Sequence, residues 1–590
     1  MNWFRRNAAS QQSSQPSQVA QNIAPTPAPS EPTIRSQSGN AVPVISSTMM
    51  DYPLTVQFIF QRAKTLFPKR ELVTVTADGY ERSTFGEVCA NAEKIAAALN
   101  IMGVKKGDRI ATLAWNTTRH LELYMAIPTM GAVLHTLNLR LASDQLGFII
   151  QDAADKIIFA DADLLPLLEK CRPYMGSVER IVVMNGSAAS QPADFPPILQ
   201  YEDVIANAPT SFTWPELDER EAAAMCYTSG TTANPKGVVY SHRSVYLHAS
   251  SLIMTDTIGL SGSDIAMPIV PMFHVNAWGL PHAAAMVGSK VVFPGKYMDP
   301  ARIARAMADE RVTLSAGVPT IWLGLVQFLE KNPTVDLSSI RYLVCGGSAA
   351  PSALIAALDK YNLKLLHAWG MTETSPIGSI SRLKAGMESL SYTEQLAIRA
   401  KQGFPVPGVE IRIMNMETGK EAPWDGVSFG EIQIRGPWIT GSYFHSENLE
   451  QGESKFIDGW FRTGDVATMD PDGYIQIVDR TKDVIKSGGE WISSVQLESI
   501  IMAHPRVAEA AVVGMPHPKW QERPVAAVVM KPDQPPMTLE ELRTFLEPQV
   551  AKWWLPDAIV ITSAIPKTSV GKFDKKILRS QLQDQVHLAD

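Results

Sequence analysis

The feature that most constrains the fold is an alternation of short apolar runs and helical patterns between Tyr52 and about Ile477. A rhythm of strand followed by helix is typical of parallel sheets whose faces are covered by helices. The sequence therefore predicts an α/β fold, with a large N-terminal domain of parallel-rich sheets and a smaller α+β C-terminal domain. The predicted strands of the large domain are 109–115, 156–160, 180–184, 222–227, 265–270, 291–293 and 342–345.

The chain has 590 residues, too many for one compact core, so at least two domains are predicted. Residues 1–48 are rich in Ser, Gln, Pro and Ala, and we expect a disordered tail because such a segment buries little apolar surface. The large domain is assigned to residues 49–478. The smaller unit that follows contains a predicted strand at 510–513 and a helix that Thr538 and Glu541 open as a capping box.

An earlier helix is predicted from the same kind of signal. It begins at Thr84, and Glu87 stands three residues on as the second member of a capping box. Its apolar side is assigned to Ala96, Leu99 and Ile101.

Charge and composition exclude several classes of protein. A net charge of −7 and a pI of about 5.9 argue against a general nucleic-acid binder. Cys89, Cys171, Cys226 and Cys345 lack metal-ligand spacing, so we expect buried or reduced thiols of an intracellular protein. No apolar stretch is long enough to predict a membrane-spanning helix. The expected location is cytoplasmic, with peripheral membrane contact left open, and the few acids before Glu31 leave a transit peptide open.

A hydroxyl-rich, glycine-containing loop follows the predicted strand 222–227. Residues 228–237 read Thr-Ser-Gly-Thr-Thr-Ala-Asn-Pro-Lys-Gly. Backbone N–H groups, hydroxyls and the charge of Lys236 suit a polyphosphate. The loop is not a Walker A loop, because Lys236 is followed by Gly237 rather than by Ser or Thr. By itself it predicts a polyanion-binding site after a strand.

Although those at 342–351, 461–465 and 566–572 are weak signals alone, five further segments carry chemistry. They are Tyr-Leu-Val-Cys-Gly-Gly-Ser-Ala-Ala-Pro at 342–351, Trp-Gly-Met-Thr-Glu-Thr at 369–374, Phe-Arg-Thr-Gly-Asp at 461–465, the charged run ending in Gly-Gly-Glu-Trp at 479–491, and Pro-Lys-Thr-Ser-Val-Gly-Lys at 566–572. In this order, the six segments resemble the superfamily of acyl-CoA synthetases, luciferases and peptide-synthetase adenylation domains. The resemblance extends over roughly residues 50 to 580.

The resemblance implies catalytic and metal-binding roles for particular residues. Thr228 and Glu373 are expected to hold Mg2+, an ion that prefers hard oxygen ligands. Lys572 matches the catalytic lysine, and Lys486 is expected to act during thioester formation. Glu373 is the third residue expected to take part in catalysis.

The resemblance also implies how the chain binds its ligands and moves. Residues 479–482 are expected to be a hinge, and the C-terminal domain 483–590 is expected to rotate about Lys482. Asp465 is expected to accept both ribose hydroxyls, because a carboxylate has two acceptor oxygens. The residues expected to bind the ligands are Thr228, Ser229, Gly230, Thr231, Thr232, Lys236, Val275, Trp278, Gly347, His367, Ala368, Thr372, Asp465, Arg480, Lys482, Lys486, Trp491 and Lys572.

One position departs from the family pattern. Ala233 stands in the phosphate loop where the family usually has glycine. If the backbone there needs a positive φ, alanine strains it by about 1 kcal/mol or more.

The segment Pro-Met-Phe-His-Val-Asn-Ala-Trp at 271–278 narrows the substrate. It resembles the acyl-pocket segment of fatty acyl-CoA synthetases, in which an aromatic residue, here Trp278, gates the tunnel. Residues 487–494 and 517–524 resemble the medium- and long-chain branch of that group. The same branch contains methylthiopropionate–CoA ligases, so the length of the acid stays open.

The implied reaction has two steps: ATP and a fatty acid give an acyl-adenylate and pyrophosphate, and CoA then gives a thioester and AMP. ATP, Mg2+ and CoA are the expected cofactors and co-substrates, and relatives are often homodimers. The alternatives are a short-chain or methylthiopropionate ligase, a peptide-synthetase module, a luciferase-like oxygenase and an inactive binding homologue. Intact Glu373, Asp465 and Lys572 argue against the last of these.

Overall fold

The computed structural model describes residues 34–35, 41–42, 47–187, 194–228, 234–445, 455–487, 490–567, 573–583 and 585–586. The chain separates into two compact units, Met1–Tyr52 and Pro53–Asp590. In the first unit, strand β1 (Ile34–Arg35) pairs antiparallel with β2 (Ala41–Val42). Most of the predicted tail 1–48 lies outside the described residues, so its disorder stays a prediction.

The strands described in the second unit form four sheets. In chain order they are β3 (Glu71–Val75), β4 (Tyr80–Thr84), β5 (Arg109–Leu113), β6 (Val133–Thr136), β7 (Ile157–Asp161), β8 (Arg180–Met184), β9 (Ile198–Gln200), β10 (Ala222–Tyr227), β11 (Gly237–Ser241), β12 (Ile265–Pro268), β13 (Lys290–Phe293), β14 (Leu314–Gly317), β15 (Tyr342–Cys345), β16 (Leu365–Gly370), β17 (Ile377–Ile380), β18 (Phe404–Pro405), β19 (Glu410–Met414), β20 (Phe429–Arg435), β21 (Phe456–Ile457), β22 (Trp460–Met469), β23 (Ile475–Arg480), β24 (Ile485–Ser487), β25 (Glu490–Ile492), β26 (Val507–His517), β27 (Gln521–Met530) and β28 (Ala558–Ile561).

Helices alternate with these strands through most of the chain. In chain order they are α1 (Val56–Leu66), α2 (Phe85–Ile101), α3 (Thr118–Thr129), α4 (Ser143–Ala153), α5 (Leu165–Lys170), α6 (Tyr201–Asn207), α7 (His242–Ile253), α8 (Val275–Trp278), α9 (Leu280–Val287), α10 (Pro300–Asp309), α11 (Pro319–Lys331), α12 (Ser352–Asp359), α13 (Tyr392–Ala400), α14 (Ser494–Met502), α15 (Leu539–Leu546) and α16 (Lys575–Gln583). Among the described residues, none of the helices has the length and apolar character needed to cross a bilayer.

The two larger sheets confirm the predicted parallel-rich architecture. The seven-stranded sheet has the order β11-β10-β6-β5-β7-β8-β9, and every pair except β10–β11 is parallel. The nine-stranded sheet has the order β18-β17-β16-β15-β14-β12-β13-β3-β4, with its antiparallel pairs confined to the two edges. Helices α1, α2, α3, α7 and α9 pack between the two sheets, while α4 and α5 cover the first and α10, α11 and α12 the second. Sheets covered on both faces need continuous apolar strands, as these sequences supply.

Two smaller sheets complete the second unit. One has the order β19-β20-β22-β21, with β23 antiparallel to β22, and the other has the order β25-β24-β27-β26, with β28 parallel to β27. Helices α14 and α15 pack on one face of the last sheet, and α16 packs on the other. This sheet and its helices are the smaller α+β domain that the sequence predicts. Asp479 and Arg480 end strand β23, and the boundary at 479–482 stays a prediction.

The predicted strands agree with the observed ones most closely where they are buried. Strands β8, β10 and β15 have the predicted bounds. The strand predicted at 265–270 ends earlier, at Pro268, because the N–H groups of Ile269 and Val270 both turn to the carbonyl oxygen of Ala316. The strand predicted at 510–513 is the middle of the longer β26. The four cysteines are buried free thiols, as predicted.

The helix predicted to begin at Thr84 is α2, and Thr84 is its N-cap residue, since its Oγ1 accepts a hydrogen bond from the N–H of Glu87 at 3.2 Å. Ala96 and Leu99 are buried, as predicted. The prediction for Ile101 is wrong: this residue, the last of α2, is 70% exposed, although Leu99 in the same turn is buried.

The buried helix α3 carries a carboxylate that makes stability depend on pH. Glu122 is 3% exposed, and it accepts hydrogen bonds from Asn91 Nδ2 at 2.8 Å and from the hydroxyl of Tyr201. Burial raises the pKa of Glu122 from its ordinary value of 4.5 to about 7. The folded chain therefore holds this proton to a higher pH than the unfolded chain, and the stability falls as the pH rises from 4.5 to about 7.

We predict that Glu122→Gln is more stable than the wild type at neutral pH, because the neutral amide removes the buried charge. The difference should be near zero at about pH 4.5 and approach about 3 kcal/mol above about pH 7, at about 1.4 kcal/mol per pH unit. Thermal unfolding midpoints of both proteins across this pH range test it. Glu169→Gln, which changes an exposed carboxylate on α5, is the control. A midpoint difference that does not vary with pH would contradict the assignment.

Candidate active site

A cavity of about 300 Å3 lies where the carboxyl ends of β10, β15 and β16 meet the segment that leads from β23 to β24. In α/β folds, ligands bind outside the carboxyl ends of the parallel strands. The lining combines two kinds of side chain. The polar ones are Thr228, His274, Thr372, Glu373, Tyr443, Lys455, Thr463, Arg480, Thr481 and Lys482, and the apolar ones include Leu252, Ile258, Val275, Trp278, Val344, Met371 and Ile377.

Glu373 is the buried acid of the cavity. It lies in a short 3-10 turn, Thr372–Thr374, directly after β16, and it is 6% exposed. Its Oε1 accepts a hydrogen bond from the hydroxyl of Tyr443 at 2.8 Å. Burial raises the pKa of Glu373, and the Tyr443 hydrogen bond only partly opposes this. The site therefore holds a carboxylate that a cation would stabilise.

Asp465 is the second buried acid. It lies on β22, is 6% exposed, and accepts a hydrogen bond from the indole Nε1 of Trp369 at 2.9 Å. The guanidinium Nε of Arg480, on the neighbouring strand β23, stands 3.2 Å from its other oxygen. The charge of Asp465 raises the pKa of Arg480 further, so the guanidinium stays charged across the physiological range.

Thr228 and Lys236 hold the two ends of the predicted phosphate loop. The N–H of Lys236 donates to Thr228 Oγ1 at 3.1 Å, and the N–H of Thr228 donates to the carbonyl oxygen of Lys236 at 2.9 Å. The Lys236 ammonium lies 4.9 Å from the ring centre of Tyr443, at the distance of a cation–π contact. Tyr443 therefore joins the loop to Glu373.

The apolar wall is built by close approach of backbone and ring. Trp278 is 8% exposed and lies against Gly346, where a Cβ atom would stand 3.0 Å from the indole. Gly347 follows with a φ of 83°, a conformation that favours glycine. The Gly-Gly pair after β15 therefore makes room for the indole and for the turn of the chain.

The cavity brings together many of the residues predicted from the sequence. The predicted residues that line it are Thr228, Val275, Trp278, Gly347, Ala368, Thr372, Glu373, Arg480 and Lys482. Lys236 contacts the lining residue Tyr443, and Asp465 contacts the lining residue Arg480. Their roles in binding and catalysis stay predictions.

Three other predicted residues do not line this cavity. His367 is buried behind it, with Nδ1 3.0 Å from the carbonyl oxygen of Ala400. Trp491, on β25, packs its ring 5.5 Å from that of Phe429. Lys486, on β24, lies over the Trp491 ring at 5.2 Å.

Several predictions fall outside the described residues. They concern the phosphate-loop residues Ser229, Gly230, Thr231, Thr232 and Ala233, the pair Gly488 and Gly489, and Lys572.

Tyr443 and Lys455 were not predicted from the sequence. Tyr443 stands in an irregular segment after β20, and Lys455 stands just before β21. Neither has a spacing or a period that marks it. Only the contact with Glu373 reveals Tyr443, and only the shared lining reveals Lys455.

The sheets, the C-terminal domain and this cavity define the adenylate-forming class of α/β enzymes. The family described as "AMP-binding enzyme" matches residues 60–444, and the family described as "AMP-binding enzyme C-terminal domain" matches residues 496–572. The chain belongs to this family of AMP-binding enzymes, which confirms the resemblance seen in the sequence.

Curated relatives match over nearly the whole length. A long-chain-fatty-acid–CoA ligase of Thermus thermophilus is 46% identical over 92% of this chain and 99% of its own. A 3-methylmercaptopropionyl-CoA ligase of Ruegeria lacuscaerulensis is 44% identical over 91% and 98%. A medium-chain-fatty-acid–CoA ligase of Ectopseudomonas oleovorans is 43% identical over 91% and 97%.

Solved structures agree with this assignment. An anthranilate CoA ligase in complex with anthranoyl-AMP has a TM-score of 0.78 and 26% identity, over 91% of this chain and 99% of its own. ATP-bound MatB from Rhodopseudomonas palustris has a TM-score of 0.76 and 26% identity, over 90% and 99%. The predicted fold and the predicted class of enzyme, an AMP-forming acid–thiol ligase, are confirmed.

We predict that Glu373→Gln stabilises the ligand-free protein and weakens its reaction. Because the pKa of the folded carboxylate is raised above 4.5, the charge costs stability above that pH, and the amide removes the cost at neutral pH. Pyrophosphate release that depends on the carboxylic acid substrate should fall at least about 10²-fold. Thermal unfolding with and without Mg·ATP, together with pyrophosphate release, measures both effects.

Glu388→Gln, which changes an exposed carboxylate after β17, is the matched control and should alter neither quantity. A Glu373→Gln protein that is less stable at neutral pH, or that keeps full activity, would contradict this account of the site.

Proposed function

We propose that the chain is a fatty acid–CoA ligase that activates a medium- or long-chain acid with ATP and transfers the acyl group to CoA. The observation that carries the proposal is the mixed lining of one cavity. Hydroxyls, one acid and several cations suited to a nucleotide share it with the apolar Val275, Trp278 and Ile377. An apolar acid and ATP therefore have room to meet in one site. The names of the Thermus and Ectopseudomonas relatives support this choice of substrate.

In the first step, a carboxylate oxygen of the acid attacks the α-phosphorus of ATP, the bond to pyrophosphate breaks, and the acyl-adenylate forms. Two anions must approach each other, and Lys572 is proposed to bridge them as the transition state forms. Asp465 is proposed to accept the ribose hydroxyls, and Thr372 to contact the α-phosphate.

Glu373 and the hydroxyl of Thr228 fit Mg2+, because they offer hard oxygen atoms and the buried carboxylate lacks a full counter-charge. The ion would complete its coordination with water and phosphate oxygens, and it would neutralise charge on the phosphates during the transfer.

In the second step, the CoA sulfur attacks the acyl carbon, the bond to AMP breaks, and the thiol proton passes to solvent. The C-terminal domain is proposed to turn about Lys482 between the steps. Lys486 and Trp491 stand outside the cavity here, and such a turn would bring their strands toward it. Closure also keeps water from the reactive adenylate.

We predict that Lys572→Ala loses adenylation by about 10²–10³-fold or more and still converts supplied acyl-adenylate to the thioester. Lys567→Ala is the matched control, because Lys567 lies in the same segment and is ion-paired with Glu509 at 2.5 Å. Pyrophosphate release and thioester formation, measured separately, test the two steps. Equal loss of both steps in Lys572→Ala would contradict the role assigned to this lysine.

The proposed substrate class is tested by pyrophosphate release over linear acids from acetate to oleate and over 3-methylthiopropionate, each with and without CoA. We expect CoA-dependent AMP release with medium or long acids. Highest activity on methylthiopropionate would favour the second candidate, which the Ruegeria relative supports. AMP release that does not depend on CoA, or no AMP release with any acid, would overturn the proposed function.

A further inference from the structure

The acyl-pocket segment α8 is left-handed over four consecutive residues. The φ angles are 46° at Val275, 51° at Asn276, 50° at Ala277 and 55° at Trp278. L-residues avoid this region because Cβ approaches the carbonyl oxygen, and a β-branched residue such as Val275 avoids it most. A run of this kind persists only where surrounding contacts hold it in place.

The side chain of Asn276 makes the contacts that hold the turn. Its Nδ2 donates to the hydroxyl of Tyr124, on α3, at 3.2 Å, and its Oδ1 accepts from Cys226 Sγ, on β10, at 3.5 Å. The same Tyr124 hydroxyl donates to the carbonyl oxygen of Met272, just before the turn. Tyr124, Cys226 and Asn276 are all buried, so no water competes for these bonds.

The turn fixes where the indole of Trp278 lies. Gly279 follows with a φ of 75°, and a Cβ atom there would stand 2.6 Å from Nδ1 of His248 on α7. The chain is therefore pinned at both ends of the turn, by Asn276 and by the close approach at Gly279. In this arrangement Trp278 covers Gly346 inside the apolar part of the cavity.

We propose that Asn276 is a positioning residue for the length of the acid. Through Tyr124 it holds the left-handed turn closed, and the closed turn keeps Trp278 over Gly346, where the indole shortens the apolar pocket. Short acids fit the closed arrangement, whereas long acids require the turn to unwind against the Asn276–Tyr124 bond. This inference rests on the proposed acyl-CoA ligase function and deepens it.

Two variants remove the Asn276–Tyr124 hydrogen bond, which we call the clamp. A third variant relieves the strain of the left-handed backbone and keeps that bond. Tyr124→Phe removes only the hydroxyl, and Asn276→Ala removes the whole amide. Ala277→Gly is the matched control, because glycine accepts the left-handed conformation and keeps the Asn276 contacts.

The measurement is the ratio of kcat/KM for dodecanoate to that for butanoate, with KM for ATP recorded alongside. In both clamp variants the ratio should rise about tenfold, the equilibrium effect of losing one buried hydrogen bond. Ala277→Gly should keep or lower the ratio, and KM for ATP should stay unchanged in all three variants. Amide hydrogen exchange over residues 272–280 should accelerate in the clamp variants and not in Ala277→Gly.

An unchanged ratio in Tyr124→Phe overturns the inference and leaves the proposed function intact, even if Asn276→Ala fails to fold. A ratio that rises by the same factor in Ala277→Gly also overturns the inference and leaves the proposed function intact. A wild-type protein that releases no pyrophosphate with any acid overturns the proposed function itself.

Discussion

The hydrogen bond from the indole of Trp369 to the carboxylate of Asp465 is the contact on which the cavity depends. At 2.9 Å it joins β16 of the nine-stranded sheet to β22 of the next sheet, and Arg480 on β23 adds an ion pair to the same carboxylate. Both bonded groups are buried, so separating the sheets would leave an unpaired carboxylate in low-dielectric surroundings. Strands β16 and β22 are therefore held together beside the cavity. The segment that leads from β23 to the C-terminal domain starts at Arg480, in the same contact.

The buried charge of Glu373 lowers the free energy of unfolding at neutral pH. Burial raises the pKa of Glu373, whose carboxylate accepts a hydrogen bond from the neutral hydroxyl of Tyr443. The nearby ammonium of Lys236 faces the ring of Tyr443 rather than the carboxylate. In the proposed mechanism this site sacrifices stability for function, because the buried charge of Glu373 would be compensated fully only when Mg2+ and ATP bind.

The same cavity brings polar residues and an apolar wall together in one small space. Its polar residues come from the ends of β10 and β16, from β22 and β23 and from the irregular segment that holds Tyr443, whereas the apolar wall includes α8 and the Gly346–Gly347 pair. The left-handed turn of α8 links the two, because Asn276 is bonded to Tyr124 on α3 and to Cys226 on β10, two residues before Thr228. A change in the apolar wall is thus connected physically to the strand that precedes the predicted phosphate loop.

Local signals in the sequence predicted the fold class and many of the residues that line the cavity. Continuous apolar runs predicted buried parallel strands such as β10, and the N-cap at Thr84 follows from short-range hydrogen bonding. The ordered segments pointed to Glu373 and Asp465 through the family resemblance, and the roles of these two residues stay predictions. Tertiary structure alone decided the contact of Tyr443 with Glu373, the place of His367 behind the cavity and the exposure of Ile101. Those outcomes depend on which elements lie side by side, and contacts between residues far apart in the chain leave no period or spacing in the sequence.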